Sequence, residues 1–369
     1  MIKIAFDYQA FFIQEYGGIS RYYCKLASAL NVLEGVEARI FAFLHINAYL
    51  AELPAAVASG IDVRRWPRRK KLFRLINEVA SWARMGLDRP SVVHETYYSH
   101  KSVAPKGVPL VVTVYDMIHE KCSDSYAWTD CTSRLKKKTV ERADHVICIS
   151  RSTKNDLIEL FGVPECKISV VHLGFEEFST FSEVGKRKAM SIGKPYFLYV
   201  GQRSGYKNFN ALVEAFASSS RLVRNCSIVC FGGGKFSGEE KKFFAGLGLP
   251  ESQVVQVGGG DDILASFYRN AFAFVYPSLY EGFGIPPLEA MSLDCPVICS
   301  RSSSVPEVAG EAAEYFSPES TDAIRGALET VADSPSRRNE LIRLGSERYR
   351  QFAWPRCAKE ILAVYESLC

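Results

Sequence analysis

The sequence has 369 residues, of which 47% are hydrophobic, and a formal net charge of +4. That length is more than one hydrophobic core usually supports and favours two domains, while the nearly balanced charge gives no indication of a nucleic-acid-binding protein. No apolar run reaches the roughly 20 residues that cross a bilayer, so we expect no membrane-spanning helix.

Eleven cysteines are scattered along a chain that opens MIKIAFDYQ without a signal peptide. The odd number and this opening favour reduced thiols and a cytoplasmic protein. The pairs Cys226/Cys230 and Cys295/Cys299 lie in the apolar runs CSIVC and CPVIC. Residues four apart on a strand are about 13 Å from each other, too far to share a zinc ion, so these cysteines are predicted to lie in the core.

The first half of the chain shows alternating strand and helix patterns. The run IKIAF, a turn with Gly17 and Gly18, the helical pattern ISRYYCKLASALN and the run ARIFAFL form a βαβ opening. The apolar runs SVVHE, PLVVTVYD and HVICIS follow, which predicts a parallel sheet covered by helices. We assign residues 1–180 to this first domain.

Residues 176–194 are polar and are interpreted as a linker, after which the pattern restarts. The runs PYFLYVG, CSIVCFGGG, QVVQVGG, FAFVYPS, PVICS and AEYFS alternate with helical patterns such as NALVEAFASS and PLEAMSLD. They predict a second α/β domain over residues 190–350. Residues 351–369 contain WPRCAKEILAVYESL, whose apolar spacing predicts a final helix that needs a surface to pack on.

Ligands of open α/β sheets gather beyond the carboxyl ends of the strands. Gly17 and Gly18 follow the first strand and precede a helix, so their backbone suits an anion, although such a pair also forms ordinary turns. FGGGKFSG has Ser237 where G-x-G-x-x-G requires its third glycine, and no G-x-x-x-x-G-K-[ST] occurs. These absences disfavour a dinucleotide-dependent reductase and a P-loop phosphotransferase.

Arg203 and Lys207 stand between the strand PYFLYV and the following helix. The N-terminal end of a helix carries partial positive charge, so two cations beside it are repelled unless a bound anion neutralises them. They are therefore candidate ligands of a diphosphate, with two solvated loop charges as the alternative.

The stretch YEGFGIPPLE places Glu281 in a loop and Glu289 early in the next helix. Glycine on both sides of Phe283 leaves the backbone N–H groups of Phe283, Gly284 and Ile285 accessible to a ligand. Carboxylates accept hydrogen bonds from sugar hydroxyls, so one acid is suited to a hexose and the other to a ribose. The alternative is that Glu289 caps its own helix and Glu281 is solvated.

Together these motifs resemble family 4 of the retaining glycosyltransferases. The resemblance rests on the E-x₇-E spacing in YEGFGIPPLEAM, the S-x-x-x-x-P-E-V-A-G that follows, the G-x-R-x-x-x-K-N at residues 201–208 and the first-domain glycine pair. It implies the GT-B fold, an α/β architecture of two Rossmann-like domains facing each other across a cleft, with a C-terminal helix crossing back to the first domain. It covers nearly the whole chain.

The resemblance also implies residue roles. Arg203 and Lys207 would neutralise the diphosphate of a nucleotide sugar, which Gly17 and Gly18 would contact from the first domain. Glu289 would hold the ribose, and Glu281 would contact hydroxyls of the transferred sugar. GDP-mannose is the favoured donor, with a UDP-sugar as the alternative. No D-x-D triplet is present, in agreement with a mechanism without a metal or another cofactor, and Asp261 and Asp262 are predicted to start a helix.

The first-domain strand-end motif departs from the family pattern. Many members carry a histidine directly before the aspartate, whereas this chain has Tyr115 and Asp116 in VVTVYDMIHE, with His119 three residues on. Whether His119 or Tyr115 takes over that contact stays open. The candidate catalytic residues are Glu281, Arg203, Lys207, His119 and Asp116, and no protein nucleophile is assigned.

Residues 64–82 (RRWPRRKKLFRLINEVASW) gather seven Arg or Lys within eleven positions before a helical apolar pattern. Such a segment favours peripheral contact with an anionic membrane, where a lipid-linked saccharide would present its acceptor hydroxyl. The alternative is a solvated basic loop followed by a core helix. No aromatic residues alternate with these charges as in single-strand nucleic-acid binders.

The leading interpretation is a transferase that moves a hexose to a lipid-linked or soluble saccharide in O-antigen or capsule synthesis. A GT-B enzyme acting on a small phosphorylated acceptor or on inorganic phosphate is the second. A nucleotide-sugar-binding protein without catalysis is the third, and it gives no reason to keep the whole set of Gly17, Gly18, Arg203, Lys207, Glu281 and Glu289.

Overall fold

The computed structural model describes residues 1–65, 69–123 and 130–369. The chain divides into two compact units, one formed by Met1–Gly174 with Phe352–Cys369 and the other by Phe175–Gln351. Positions 66–68, which belong to the predicted membrane-contact stretch 64–82, lie outside the described residues.

Within the described residues, a six-stranded parallel sheet forms the centre of the first unit. The strands of this unit are β1 (Ile2–Phe6), β2 (Val36–Ile40), β3 (Leu44–His45), β4 (Ile61–Asp62), β5 (Val92–Glu95), β6 (Leu110–Val114), β7 (His145–Cys148) and β8 (Ile168–Val170). The sheet order is β2-β1-β5-β6-β7-β8, and β3 pairs with β4. Strand β6 is buried along its whole length, as expected for a parallel strand covered on both faces.

The helices of the first unit, in chain order before its C-terminal segment, are α1 (Gln9–Ile13), α2 (Gly18–Leu30), α3 (Lys70–Asp88), α4 (Ile118–Lys121), α5 (Thr132–Arg142) and α6 (Arg151–Phe161). The predicted helix ISRYYCKLASALN is α2, which buries Tyr23, Leu26 and Leu30. The βαβ opening is therefore confirmed.

The second unit repeats this plan with a second six-stranded parallel sheet in the described chain. Its strands are β9 (Tyr196–Val200), β10 (Ser227–Phe231), β11 (Val254–Val257), β12 (Ala273–Tyr276), β13 (Val297–Ser300) and β14 (Ala313–Phe316). Their order is β11-β10-β9-β12-β13-β14. The direction of winding reverses between β9 and β12, and a crevice forms where the loops after two such strands diverge.

The helices of the second unit are α7 (Glu183–Met190), α8 (Phe209–Ala217), α9 (Ser220–Asn225), α10 (Gly238–Gly246), α11 (Asp261–Asn270), α12 (Ile285–Ser292), α13 (Val305–Ala309), α14 (Thr321–Asp333) and α15 (Pro335–Arg348). Helix α7 falls inside the segment interpreted as a linker. Ser182 caps this helix, and the helix packs on α11. Part of the segment interpreted as a linker therefore belongs to the folded second unit. Asp261 and Asp262 start α11, as predicted.

The core of the second unit is rich in aromatic residues and contains the cysteines that have metal-like spacing. Cys226, Cys230, Cys295 and Cys299 are all buried. Burial raises the pKa of the Cys230 and Cys299 thiols, because a thiolate loses its hydration there. The prediction that these residues belong to the core is confirmed.

The final helix, α16 (Trp354–Glu366), packs on α2 of the first unit. Its Tyr365 hydroxyl lies 2.6 Å from Nδ1 of His94 in β5. Burial lowers the pKa of His94 to about 3, so this ring is neutral at physiological pH and acts as a hydrogen-bonding link. The predicted return of the C-terminal helix to the first domain is confirmed. None of the helices in the described part of the chain combines the length and apolarity that crossing a bilayer requires.

Candidate functional site

Glu281 lies in the loop that follows β12, at the point where the second sheet reverses its winding. Its carboxylate accepts a hydrogen bond from Lys207 Nζ at 2.7 Å and another from the hydroxyl of Tyr276. Lys207 follows β9, the strand next to β12, so this ion pair joins the two loops that border the predicted crevice. Burial, with the negative charge of Glu281, raises the pKa of Tyr276, and the phenol therefore stays a proton donor.

The Glu281 side chain is only 9% exposed, yet it retains acceptor capacity. A carboxylate offers about four lone-pair positions, and Lys207 and Tyr276 occupy two of them. The Lys207 ammonium also lies 5.1 Å from the centre of the Tyr206 ring and 5.5 Å from that of Tyr276. The acid is thus held in one orientation and can still accept hydrogen bonds from sugar hydroxyls.

Two serines before α13 hold the loop that carries Glu281. The backbone N–H of Glu281 donates to Ser303 Oγ at 2.8 Å. The hydroxyl of Ser304, fully buried, lies 2.8 Å from both the Glu281 and the Phe283 carbonyl oxygens. These bonds fix the backbone on both sides of Gly282.

Gly284 connects this loop to α12 with a backbone that other residues rarely adopt. Its φ is +124°, in the region that favours glycine. No acceptor among the described residues bonds the backbone N–H of Gly284 or of Ile285. Two N–H groups beside a helix N-terminus are a suitable ligand set for a phosphate, although Pro286 and Pro287 contribute no N–H to that first turn.

Glu289 lies in the second turn of α12 and is half-buried. The hydroxyl of Tyr268 in α11 donates to its carboxylate at 3.0 Å. Burial, together with Glu289, raises the pKa of Tyr268. The carboxylate is therefore oriented by a second helix, which differs from the alternative in which Glu289 only caps its own helix.

Arg203 is packed against the loop after β10 and is not a solvated charge. Its side chain is 4% exposed, and Nε donates to Glu240 at 2.6 Å. The guanidinium also donates to the Gly232 and Gly234 carbonyls at 3.0 and 3.1 Å and stacks 4.8 Å from the Phe236 ring centre. The two cations are therefore separated into two ion pairs, Arg203 with Glu240 and Lys207 with Glu281.

A cavity of about 790 Å³ opens beside Arg203 between the loops at residues 202–210 and 233–243. That volume is in the range of small-molecule sites. Within the described chain its lining includes Arg203 and Glu240 but not Lys207, Glu281 or Glu289. Arg203 thus borders this cavity, while Lys207, further along the same loop after β9, pairs with Glu281 of the loop after β12.

Gly17 and Gly18 stand at the start of α2, as predicted. A Cβ at Gly17 would lie 1.7 Å from Oε1 of Gln14, so the end of that flexible side chain would have to move to admit a larger residue. A Cβ at Gly18 would meet no described atom within 4 Å, and no side chain caps the helix. Gly18 therefore has no packing requirement, and the space beside it is open to a ligand.

Asp116 and His119 follow β6 in the first unit. The backbone N–H of Ile118 donates to Asp116 Oδ1 at 3.0 Å, and His119 Nε2 lies 3.4 Å from Asp130 Oδ2. Tyr115 is buried, with its ring packed edge-on against Tyr22 at 5.9 Å. Both Asp116 and His119 retain partial exposure, whereas Tyr115 belongs to the packed interior.

Some residues that shape these sites were not predicted. Glu240, Tyr268, Tyr276, Ser303 and Ser304 all contact or hold a candidate residue. Glu240 has a sequence signal, because Ser237 and Glu240 form the S-x-x-E capping box of α10. The tyrosines have none, since a buried Tyr in a strand or helix resembles any core residue. Nor do the described residues contain a group of three or more His, Cys, Asp or Glu side chains arranged to hold a metal ion.

The two parallel-sheet units, with a C-terminal helix that belongs to the first, define the GT-B fold of nucleotide-sugar-dependent glycosyltransferases. Residues 184–348 match the model described as "Glycosyl transferases group 1", and residues 16–177 match "Glycosyltransferase Family 4". The chain belongs to family 4 of the glycosyltransferases, whose members are retaining hexosyltransferases that need no metal ion. The family resemblance stated from the motifs is confirmed.

Among curated relatives, the O-antigen chain mannosyltransferase B of Escherichia coli is 25% identical over 375 residues, which cover 95% of this chain and 96% of the relative. The O-antigen chain mannosyltransferase RfbU of Salmonella typhimurium is 26% identical, covering 86% of this chain and 88% of the relative. Both similarities extend over both units.

Solved structures share the fold. Sucrose-phosphate synthase from Thermosynechococcus elongatus aligns with a TM-score of 0.74 at 20% identity, covering 100% of this chain and 99% of that one. The Anabaena protein HepE, in complex with UDP and glucose, aligns with a TM-score of 0.74 at 17% identity and covers 100% of both chains. At these identities the likeness supports the architecture alone.

Proposed function

We propose that this protein transfers a hexose, with mannose favoured, from a nucleoside diphosphate sugar to a saccharide acceptor during O-antigen or capsule synthesis. The observation that carries the proposal is the Lys207–Glu281–Tyr276 cluster at the reversal point of the second sheet. It sets a fixed cation and a fixed carboxylate side by side, a combination that suits a leaving diphosphate and the hydroxyls of a sugar. The mannosyltransferase relatives support mannose, and hence GDP-mannose, over a UDP-sugar.

In the proposed reaction, the bond between the anomeric carbon and the diphosphate breaks, and the diphosphate leaves with the electron pair. Lys207 and Arg203 stabilise the charge that develops on it, as fixed cations do in preorganised sites. The N–H groups of Gly284 and Ile285 supplement them, and Gly17 and Gly18 are assigned to the same diphosphate.

The sugar carbon becomes oxocarbenium-like, and Glu281 orients the ring through its hydroxyls. The acceptor oxygen bonds to the face that the leaving group vacates and gives its proton to the leaving phosphate, so configuration is retained. Glu289 holds the ribose. Asp116 and His119 are assigned to the acceptor side of the transferred sugar.

A lipid-linked saccharide is the acceptor that we propose, which would place the protein peripherally at the inner face of the cytoplasmic membrane. A soluble saccharide would need no such location. A small phosphorylated acceptor is the second candidate, and one relative favours it. The D-inositol 3-phosphate glycosyltransferase of Nocardiopsis dassonvillei is 25% identical and covers 95% of this chain.

The test is release of nucleoside diphosphate from a panel of GDP- and UDP-sugars, with chelator present and with lipid-linked, soluble and phosphorylated acceptors. We expect acceptor-dependent release from one donor, undiminished by chelator. The Glu281→Ala variant should lose at least about 100-fold in kcat, the effect of removing a group that stabilises the transition state, and should keep the wild-type circular dichroism spectrum.

The matched control is Glu251→Ala, which removes an exposed acid from the same unit and should turn over normally. Wild-type turnover in Glu281→Ala would refute the role of Glu281. Tight nucleotide binding without release from any donor would favour the binding-protein alternative.

A further inference from the structure

Helix α3 exposes six large apolar side chains to solvent among its described residues. Residues at positions 72, 75, 76, 79 and 82 share one helix face, because their spacing follows the 3.6-residue period. Leu87 continues this face at the C-terminal end. The exposed fractions are 47% for Leu72, 56% for Leu75, 40% for Ile76, 58% for Val79, 61% for Trp82 and 80% for Leu87. This result contradicts the alternative in which the apolar face of α3 packs into the core.

The opposite face of α3 is buried through Asn77, Ser81 and Met85, and its two polar residues fix the orientation of the helix. The Asn77 side chain, fully buried, bonds both the N–H and the C=O of Leu44 at 2.9 and 2.8 Å. The buried Ser81 hydroxyl donates to the Phe41 carbonyl at 3.0 Å. Rotating the apolar face inward would break these three bonds and leave buried backbone groups unpaired, which is costly.

Positive charge accompanies the apolar face. Arg69, Lys71 and Arg74 are exposed, and none of the three forms an ion pair with a carboxylate in the described part of the chain. At the other end, Asp88 is already paired with Arg84 and lies near Arg39. The apolar face therefore has three uncompensated cations near its N-terminal end and no uncompensated acid near its C-terminal end.

We propose that this face, residues 72–87 of α3, inserts into the surface of a bilayer that contains anionic lipids, with the helix parallel to the membrane and its cations at the lipid phosphates. At 1.5 Å per residue the face is about 24 Å long, and a helix that lies in the plane of the interface buries such a face at the boundary of headgroups and acyl chains. Trp82 is the residue type enriched at the boundary between headgroups and acyl chains. The three cations favour an anionic surface over a neutral one.

A second copy of the chain is a poorer occupant of this face. Antiparallel pairing of two α3 helices would bring the cations of each near the Asp88 end of the other, where the acid is already neutralised. Parallel pairing would oppose like charges. One helix face also provides less than the roughly 800 Å² per partner that stable interfaces bury.

The first experiment is flotation of the full chain with vesicles of phosphatidylcholine alone or mixed with phosphatidylglycerol, without saccharide or nucleotide. We expect binding to the mixed vesicles. Each of Arg69→Glu, Lys71→Glu and Arg74→Glu should lower it by at least about fivefold. The triple variant Leu75→Ser, Val79→Ser, Trp82→Ser should bind at least about tenfold more weakly. The matched control is Val32→Ser, Val184→Ser, Met190→Ser, which alters exposed apolar residues elsewhere and should bind as the wild type.

Insertion depth is tested by quenching of tryptophan fluorescence with lipids brominated along the acyl chains. The wild type should be quenched, and Trp82→Phe should lose most of that quenching. Equal vesicle binding by the Ser triple variant and the wild type, or no binding to either vesicle, would overturn the proposal. A dimer in solution that the triple variant dissociates, without vesicle binding, would assign the face to a second copy instead.

These outcomes are separate from the proposed transferase reaction. The α3 variants should keep wild-type kcat on a soluble acceptor, because α3 contributes none of the proposed donor ligands. Failure of vesicle binding with intact transfer would refute the membrane face alone. Vesicle binding without transfer from any donor would refute the proposed reaction alone.

Discussion

The sequence motif that contains Arg203 predicts a function for this residue but does not predict its contacts. The G-x-R-x-x-x-K-N pattern suggests a phosphate ligand, yet the guanidinium is already bonded to Glu240 and to two loop carbonyls. Burial of Glu240 acts to raise its pKa, but the hydrogen bonds from Arg203 and Ser237 outweigh burial and lower it. Glu240 therefore stays ionised and competes with any phosphate for the same cation.

This competition predicts the effect of Glu240→Gln. The amide keeps an oxygen to accept from the N–H of Ser237, a bond that Glu240 makes at 2.7 Å, but it removes the negative charge beside Arg203. If Arg203 binds the donor diphosphate, we expect the variant to bind nucleoside diphosphate roughly three- to tenfold more tightly, the effect of about 1 kcal/mol from one opposing charge. Titration calorimetry measures this affinity.

Glu251→Gln is the control, since that acid is exposed, belongs to the same unit and does not line the cavity beside Arg203. It should change affinity little. A Glu240→Gln protein with lowered melting temperature and unchanged affinity would mean that Arg203 only holds the loop after β10, and its assignment to the diphosphate would be wrong.

At the scale of elements, the loop after β12 depends on a loop that lies about twenty residues further along the chain. Ser304 is fully buried and bonds the carbonyls of Glu281 and Phe283. Ser303, with φ of +47°, accepts from the Glu281 N–H. Glu281 is therefore positioned by the segment that begins α13. The serines of the motif that ends in P-E-V-A-G thus hold the loop that carries Glu281.

We predict that Ser304→Ala lowers the free energy of unfolding by about 1–3 kcal/mol, because it leaves buried carbonyls without their donor. It should also lower kcat for transfer more than it raises KM, if the loop positions Glu281 mainly for the transition state. Denaturant unfolding and steady-state kinetics measure the two effects. The exposed Ser336 provides the control variant Ser336→Ala, and unchanged kcat in a destabilised Ser304→Ala protein would contradict a positioning role.

Sequence patterns predicted the positions of helices and strands better than they predicted which side of a helix is buried. Most strands of the two six-stranded sheets and α2, α11, α12 and α16 follow from apolar spacing, because buried parallel strands and amphipathic helices leave distinct periods. The short strands β4 and β8 were not predicted. The same spacing marks α3 as amphipathic but does not indicate that Asn77 and Ser81 belong to its buried side. That choice depends on backbone groups of residues 41 and 44, which are distant in sequence. Helix α7, with a weak period, was included in a linker.

The whole molecule repeats one plan, and this repetition explains which parts of the site were predictable. In the second unit, parallel strands bring loop residues to a shared edge, so Lys207 after β9 and Glu281 after β12 meet although 74 positions separate them. The topology implied this pairing once the strand order was known. The partners Tyr268 and Tyr276 were not predictable, since their selection depends on side-chain packing that leaves no period in the sequence.

The stability of the first unit should depend on pH through Glu95, which ends β5. This side chain is buried with one ion-pair partner among the described residues, Arg142. Burial, with the negative charge of Asp7, raises the pKa of Glu95 from 4.5 to about 7, although Arg142 acts in the opposite direction. The native state therefore binds a proton that the unfolded chain has released, and stability present below pH 4.5 is lost as the pH rises toward 7.

The corresponding prediction compares the wild type with Glu95→Gln. The amide cannot ionise, so the variant does not lose this stability as the pH rises. Between pH 4.5 and 7.5, the unfolding free energy of the variant should therefore increase by about 3 kcal/mol relative to that of the wild type. Residues 175–351 contain no tryptophan, so tryptophan fluorescence during denaturant unfolding reports the first unit, where Trp82 and Trp354 lie. The exposed Glu34→Gln control should follow the wild type at every pH. Parallel pH curves for Glu95→Gln and the wild type would instead mean that Arg142 keeps Glu95 ionised throughout, with the ion pair outweighing burial.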